Sequence, residues 1–259
     1  MRVLNVAVTE KEIEAAEKLR VQGDYAPSLA LTQDLLTRAQ DEGTKYRLLF
    51  NVVSCSTRLG LDNVTDTAMA ELDNLPEPET SRFFVNMIKA MSHLALSRPQ
   101  EALDLINQNL ASEFVTREEY RVNEYQLLAY KGSALVFLGR REEALTPLMQ
   151  AHEMYPDGER ETDILFDRAN CMNDLKRYSE AYSLLEQVLI RESGQTATLA
   201  MQYMADCCVG MGRIAEALNL FTDILKKLPC RLVREEYIRD RISVCMDYQE
   251  KCNPQGRPV

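Results

Sequence analysis

Residues that interrupt helices are scarce in this chain. It contains only 10 glycines and 9 prolines among 259 residues, and tryptophan is absent as well. Alanine, leucine, glutamate, arginine, methionine and glutamine are plentiful, and these are strong helix formers. Hydrophobic residues make up 46% of the chain, enough for a sizeable core and too many for a disordered protein. The composition therefore predicts an all-α fold.

Side chains that carry catalysis or bind metals are also few. The two histidines, His93 and His152, lie far apart in the sequence, so we expect neither an acid–base pair nor a histidine-rich metal site. No Walker lysine, G-x-S-x-G or HExxH motif occurs. Residues 210–215 fit G-x-G-x-x-A, but no strand precedes them and the glycines fall at an expected turn between helices. We predict no catalytic residue, no metal site and no cofactor.

Signals for secretion or membrane insertion are weak. No apolar run approaches the roughly 20 residues needed to span a bilayer. The apolar run near the N-terminus is short and leads into a charged segment, which is a poor secretory signal. The seven cysteines form no CxxC pair and are typical of buried thiols in a reducing compartment. We expect a cytoplasmic protein without membrane insertion.

The charge balance disfavours polyanionic partners. The formal net charge is −10, whereas nucleic acid binding depends on lysine and arginine that neutralise phosphates. The densest basic stretch is interrupted by Glu235, Glu236 and Asp240, so we interpret it as a solvated helix face. A local patch for an acidic partner is the alternative. The basic residues of this stretch are Lys226, Lys227, Arg231, Arg234, Arg239 and Arg241.

A short motif recurs along the chain. Residues 138–145, 175–182 and 211–218 share a turn followed by x-Glu-Ala and an apolar helix, and their alanines Ala144, Ala181 and Ala217 lie 37 and 36 residues apart. Weaker versions place Ala102 and Ser28 in the same register. Such a period is the signature of a repeat array, in which each unit buries its apolar face against its neighbours.

The spacing within each unit predicts two antiparallel helices. Small residues are needed where two helices cross closely, and Ala144, Ala181 and Ala217 occupy that place in the second helix. Gly132, Ala169 and Ala205 occupy it in the first. Apolar residues then return at i+4 and i+7 of one helical face, as an amphipathic helix requires.

These positions resemble the tetratricopeptide repeat (TPR) family, whose unit has small residues near positions eight and twenty and a proline near its end. Residues 125–156 carry the closest match, although Leu128, Leu165 and Met201 stand where the family has tryptophan. The resemblance implies a right-handed α-solenoid of about six antiparallel helix pairs with a C-terminal capping helix. We expect one domain over 1–251, with units at 9–38, 44–75, 81–112, 119–156, 160–194 and 196–229, a capping helix at 231–250 and a flexible tail at 252–259.

Arrays of this kind bind extended peptides or helices on the concave surface formed by their first helices. Asparagine is apt there because its amide both donates and accepts hydrogen bonds, although such residues can equally be only solvated. Counting from the turns predicts these groove residues: Arg47, Asn51, Gln126, Ser133, Asp163, Phe166, Asn170, Asn173, Gln202 and Asp206.

The chemistry of these positions indicates the class of partner. TPR cochaperones that hold the acidic C-terminus of heat-shock chaperones present Lys and Arg in the groove, whereas this chain has Ala129, Asp163, Asp167 and Tyr203 at equivalent places. We therefore expect a basic or neutral, partly apolar protein or peptide, and neither that chaperone terminus nor nucleic acid. The primary hypothesis is a scaffold or adaptor; the alternatives are a peptide-sensing regulator or substrate chaperone and, third, an enzyme.

Overall fold

A computed structural model of the chain describes residues 7–75, 79–156, 158 and 160–252. Within these ranges there are thirteen α-helices and no β-strand, which confirms the all-α class. The helices are α1 (Glu10–Val21), α2 (Tyr25–Arg38), α3 (Glu42–Leu59), α4 (Asp62–Asp73), α5 (Glu79–Ala95), α6 (Pro99–Leu110), α7 (Arg121–Phe137), α8 (Arg141–Met154), α9 (Glu161–Asp174), α10 (Tyr178–Arg191), α11 (Gly194–Gly210), α12 (Ile214–Lys226) and α13 (Glu235–Cys252).

The predicted helix pairs and the C-terminal capping helix are confirmed. Within each pair the second helix begins after a turn of two or three residues, and longer connections precede α7, α9 and α13. The small residues predicted at the helix crossings are buried: Ala144, Ala181, Ala205 and Ala217 have no exposed surface and Ala169 has almost none.

The turn within a pair needs a residue in the left-handed backbone region. Gly139 and Gly212 both have a φ of 75° there, and Lys176 takes the same place with a φ of 61°. The N–H of Arg177 then donates to the carbonyl of Met172 across 2.8 Å, which closes the last turn of α9. A side chain at such a φ costs about 1–2 kcal/mol, so Lys176 is strained where glycine would not be.

The repeated x-Glu-Ala motif has a second role at these turns. Glu143 and Glu180 receive hydrogen bonds from the arginines three residues before them, Arg140 and Arg177, which precede α8 and α10. The guanidinium groups lower the pKa of both carboxyls. Because these pairs lie at the surface, they contribute little to stability.

The chain divides into two compact units, residues 1–138 and 139–259. In the first unit α1 to α7 pack in series, each against the next and, for α1, α3 and α5, also against the next but one. In the second, α8 to α13 pack in series and α9 also contacts α11. The prediction of a single domain over 1–251 stays a prediction, and residues 1–6 and 253–259 lie outside the described residues.

Helix α13 caps the second unit by packing on α12. Its residues Ile238 and Cys245 are buried in one core cluster with Phe221 and Ile224. Leu232, which precedes α13, and Met246 within it are about half exposed.

The segments that precede α1 and α7 differ in structure. At the start of α1 the carboxylate of Glu12 accepts hydrogen bonds from both the backbone N–H and the hydroxyl of Thr9, each across 2.8 Å. Before α7, residues 113–120 form two 3₁₀ turns, and the helix begins only at Arg121. Phe114 and Val115 are buried in the core around α5 and α6, which holds this segment away from a continuous helix.

Candidate functional site

The second unit contains an open cavity of about 630 Å³ between the exposed faces of α9, α11 and the start of α13. We call it the α9–α11–α13 groove. Because Asn170 and Asn173 are three residues apart, and Gln202 and Asp206 four, each pair projects from one face of its helix. These four residues, all predicted from the sequence as groove residues, line the same cavity. The other lining residues are Asp174, Tyr178, Leu199, Tyr203, Val209, Gly210, Leu232, Arg234, Tyr237 and Arg241.

Two amides in the groove have no hydrogen-bond partner among the described residues. The side chains of Asn170 and Gln202 are half-buried, and neither makes a hydrogen bond with any residue that the structure describes. Asn173 is partly engaged, since the thiol of Cys207 donates to its Oδ1 across 3.6 Å. The groove therefore offers amide donors and acceptors from two adjacent first helices to a ligand.

Asp206 lies at the junction of α11 and α13. Its Oδ2 accepts a hydrogen bond from the hydroxyl of Tyr237 across 2.7 Å, and its Oδ1 accepts one from Nε of Arg241 across 3.0 Å. Burial raises the pKa of this carboxyl, and the two donors partly offset that rise. Burial and the neighbouring carboxylate also raise the pKa of Tyr237. This trio fixes the side chains of α13 against the groove.

Aromatic rings form part of the groove and its support. Phe166 contacts Tyr203 edge to face, with 6.1 Å between ring centroids and 67° between planes. Burial raises the pKa of Tyr203, and the carboxylates of Asp206 and Asp174 add to the rise. The ring of Tyr178 lies against Gly210, where an added Cβ would be 2.6 Å from Cε1 of that ring. Glycine at position 210 therefore lets Tyr178 lie flat against the end of α11.

The charge of the groove differs from the acidic character expected from the sequence. Asp206 is paired with Arg241, and Asp174 is paired with Arg141 of α8 across 2.5 Å. Arg234 is exposed and makes no ion pair with any described residue. Both carboxylates are thus locally compensated, and the uncompensated charge in the groove is a guanidinium.

Two predicted residues of α9 lie outside the groove lining. Asp163 is exposed and its carboxylate lies 3.0 Å from Nη2 of Arg160. Phe166 is half-buried and supports the groove through Tyr203 rather than lining it. Neither position contributes a polar group to the cavity.

The predicted residues of α3 belong to the first unit and have internal roles. Arg47 joins α3 to α1, because its guanidinium lies 2.7 Å from Glu10 and 3.0 Å from Glu17. Asn51 is only 2% exposed and its Nδ2 donates to the hydroxyls of Ser28 and Thr32, so its placement on a ligand-facing surface is corrected. The period of the repeat cannot distinguish a solvent-facing position from a buried one on the same helix.

The predicted residues of α7 also belong to the first unit. Ser133 is 9% exposed and its hydroxyl donates to the carbonyl of Ala129, so it too is corrected to a buried position. Gln126 is half-buried, and its role in binding stays a prediction.

The contribution of α13 was missed from the sequence. Tyr237 and Arg241, four residues apart on one face of α13, and Arg234, directly before the helix, all line the groove. That spacing was visible, but α13 was interpreted only as a solubilising cap, and its basic residues as solvated. Tyr178 and Gly210 gave no signal, because their contact depends on tertiary packing.

Some other types of site are not found in the described part of the chain. No group of three or more His, Cys, Asp or Glu side chains there is arranged to hold a metal ion. None of the described helices is both long enough and apolar enough to cross a membrane.

Comparisons with known proteins give a likeness of fold. No family model and no curated protein sequence matches the chain. A signal transduction ATPase (STAND) with a tetratricopeptide repeat sensor from Pyrococcus horikoshii superposes with a TM-score of 0.74 at 17% identity, over 92% of this chain and 38% of that one. This chain thus spans well under half of that ATPase.

Two further solved structures are similar. The apo form of RapI superposes with a TM-score of 0.73 at 7% identity, over 94% of this chain and 72% of RapI. A Rap protein complexed with Competence and Sporulation Factor has a TM-score of 0.65 at 14% identity, over 94% and 75% of the respective chains. The fold expected from the TPR resemblance is confirmed: the chain has the helical-hairpin repeat fold of tetratricopeptide-type proteins.

Proposed function

We propose that the chain is a protein-interaction module that binds an extended segment of a partner protein in the α9–α11–α13 groove. One observation carries this proposal: Asn170 and Gln202, on adjacent first helices, present unpartnered amides to one open cavity. Both side chains are half-buried and open to solvent, so their amides can exchange water for a ligand. A peptide main chain supplies the same donors and acceptors.

The groove suits a main chain with apolar side chains. Each hydrogen bond from an amide to a peptide contributes about 0.5–1.5 kcal/mol net. Leu199, Tyr203 and Leu232 also line the cavity and offer apolar surface between the amides. The partner segment is therefore partly apolar, and it is read mainly through its backbone.

The proposal favours a scaffold or adaptor over the other hypotheses. A peptide-sensing regulator or substrate chaperone is the alternative, and the fold likeness to the Rap protein complexed with Competence and Sporulation Factor is compatible with it. No catalytic role is proposed: of the titratable groups in the groove, Asp206 and Tyr237 are engaged with each other and Asp174 with Arg141. We place the protein in the cytoplasm, with which its buried free thiols are compatible.

A library of short peptides with blocked termini tests the proposal. The immobilised peptides are incubated with the wild-type protein and with the variants Asn170→Ala and Gln202→Ala. The retained peptides should bind each variant several-fold more weakly, because each change removes one hydrogen bond worth about 1 kcal/mol. Asn219→Ala is the matched control, since Asn219 is exposed on α12 and does not line the groove.

The outcomes separate the hypotheses. Discrete retained peptides support binding of an extended segment in the groove, whereas capture of folded partners alone would reject such a segment as the ligand. Retained peptides whose affinity is unchanged in both groove variants, or reduced equally by Asn219→Ala, would reject the groove as the binding site.

A further inference from the structure

We infer that the α13 wall of the groove is a cationic subsite that binds the carboxylate of an aspartate or glutamate side chain in the partner segment. The inference rests on the proposed function, which concerns the amides of α9 and α11. The inference adds a preference for an acidic side chain at the opposite wall of the groove, next to α13.

Two guanidinium groups point into this wall. Arg234 lies directly before α13 and Arg241 lies within it, and both line the cavity. The side chain of Arg234 makes no hydrogen bond or ion pair with any described residue. Arg241 uses its Nε on Asp206, and its two Nη groups bond to no residue in the described part of the chain.

Asp206 orients the guanidinium of Arg241 through Nε alone and does not bond to its Nη groups. The carboxylate contacts only Nε, and its other oxygen is taken by the hydroxyl of Tyr237. An arginine anchored through Nε keeps both Nη groups for a second acceptor. Asp206 thus fixes the orientation of the guanidinium that faces the groove.

The other carboxylates of this segment do not fill the subsite. Glu235 is paired with Arg239 across 2.7 Å. Glu236 and Asp240 are exposed and do not line the cavity. Counting Arg234, Arg241 and Asp206 leaves one surplus positive charge at the wall, which complements one carboxylate of a ligand.

The chemistry of the subsite selects a carboxylate. Guanidinium groups bind carboxylates through short, charge-assisted hydrogen bonds, which are stronger than neutral ones. We expect a glutamate in the partner segment to bind about tenfold more tightly than glutamine at the same position, and the advantage to shrink with added salt.

The test compares peptide pairs on matched charge variants. Peptides retained by the blocked-terminus library are made with Glu or Gln, and with Asp or Asn, at each acidic position. Affinities are measured for the wild type, Arg234→Gln and Arg231→Gln. Arg231 is exposed on the same connecting segment and does not line the groove, so its substitution removes equal charge elsewhere. Arg234→Gln should abolish the preference for the acid, and Arg231→Gln should keep it.

Several results would overturn the subsite. These are equal affinity for acidic and neutral peptides, equal effects of Arg234→Gln and Arg231→Gln, and a carboxylate preference that appears only when the peptide C-terminus is unblocked. In the last case the ligand group is a terminal carboxylate rather than a side chain.

A small probe separates this inference from the proposed function. N-acetyl-glutamate N-methylamide is titrated into the protein while the Nε–H signals of Arg234 and Arg241 are followed by NMR. Shifts with this probe and not with the glutamine analogue support the subsite even if no library peptide is retained, which would reject the proposed function alone. Absence of such shifts rejects the subsite even if peptides bind through the amides.

Discussion

Tyr237 donates its hydroxyl proton to Oδ2 of Asp206 across 2.7 Å, and so ties the capping helix α13 to the groove face of α11. The carboxylate is largely removed from water, with 14% of its side chain exposed. A buried carboxylate depends on its donors, because unmade hydrogen bonds to a charge are costly. The hydrogen bonds to Asp206 therefore hold α13 in place and maintain the shape of the groove.

Removing the hydroxyl should destabilise the second unit. We expect Tyr237→Phe to lower the free energy of unfolding by about 1.5–3 kcal/mol, the range for hydrogen bonds to charged groups. Urea denaturation measures the change. Asp206→Asn in both backgrounds completes a double-mutant cycle, and the two changes should couple by about 1 kcal/mol or more. Additive effects would show that the pair does not interact in solution.

Lys176 offers a stabilising substitution. Because its φ is 61°, Lys176→Gly should raise the free energy of unfolding by about 1 kcal/mol through relief of left-handed strain. Lys176→Ala is the control: alanine has the same strain at this φ and should give no such gain. Thermal or urea unfolding of the three proteins measures these free energies. An equal gain in stability for both variants would contradict relief of backbone strain as its origin.

The contact between Tyr178 and Gly210 should make position 210 intolerant of a side chain. Gly210→Ala puts a methyl group 2.6 Å from the tyrosine ring, so the ring must leave its place along the groove. We expect a loss of stability and weaker binding of library peptides. In a Tyr178→Ala background the same change should be tolerated, with a coupling of about 0.5–3 kcal/mol in the cycle. An equal loss of stability from Gly210→Ala with and without Tyr178 would show that the strain does not come from the tyrosine ring.

Glu12 should contribute to acid sensitivity of the first unit. Hydrogen bonds from the Thr9 backbone and from Arg38 lower its pKa from 4.5 to about 2. Since the folded-state pKa is depressed, the carboxylate stabilises the fold above pH 4.5, and this contribution is lost as the pH falls towards about 2. The difference in unfolding free energy between wild type and Glu12→Gln should therefore decrease as the pH falls from 4.5 towards about 2.

Glu14→Gln provides the control for this prediction. Glu14 is exposed on the same helix, and its side chain makes no hydrogen bond with a described residue. Its substitution should therefore leave the pH profile of unfolding close to that of the wild type. A gap for Glu12→Gln that stays constant or widens on acidification would contradict the assignment.

Much of the architecture could be predicted because the repeat is recognisable from residues that lie close together in the sequence. The alanines at the helix crossings and the x-Glu-Ala turns fix where helices pair, since each reflects packing within one hairpin. Residues 113–120 could not be predicted, because their 3₁₀ turns depend on burial of Phe114 and Val115 against other helices.

The candidate site was predictable only in part. Helical counting brought Asn170, Asn173, Gln202 and Asp206 to one face, and the structure places all four in one cavity. The same counting cannot tell an open face from a buried edge, as Asn51 shows. Arg241 was missed because its role depends on α13 lying beside α11, which no local pattern specifies.

The most direct measurement follows the side-chain amide signals of Asn170 and Gln202 by NMR during titration with a peptide retained from the blocked-terminus library. If these amides bind the partner backbone, both signals should shift in a saturable manner with the same dissociation constant, while the signal of Asn219 stays in place. Saturable binding that leaves both groove amides unchanged would contradict the account.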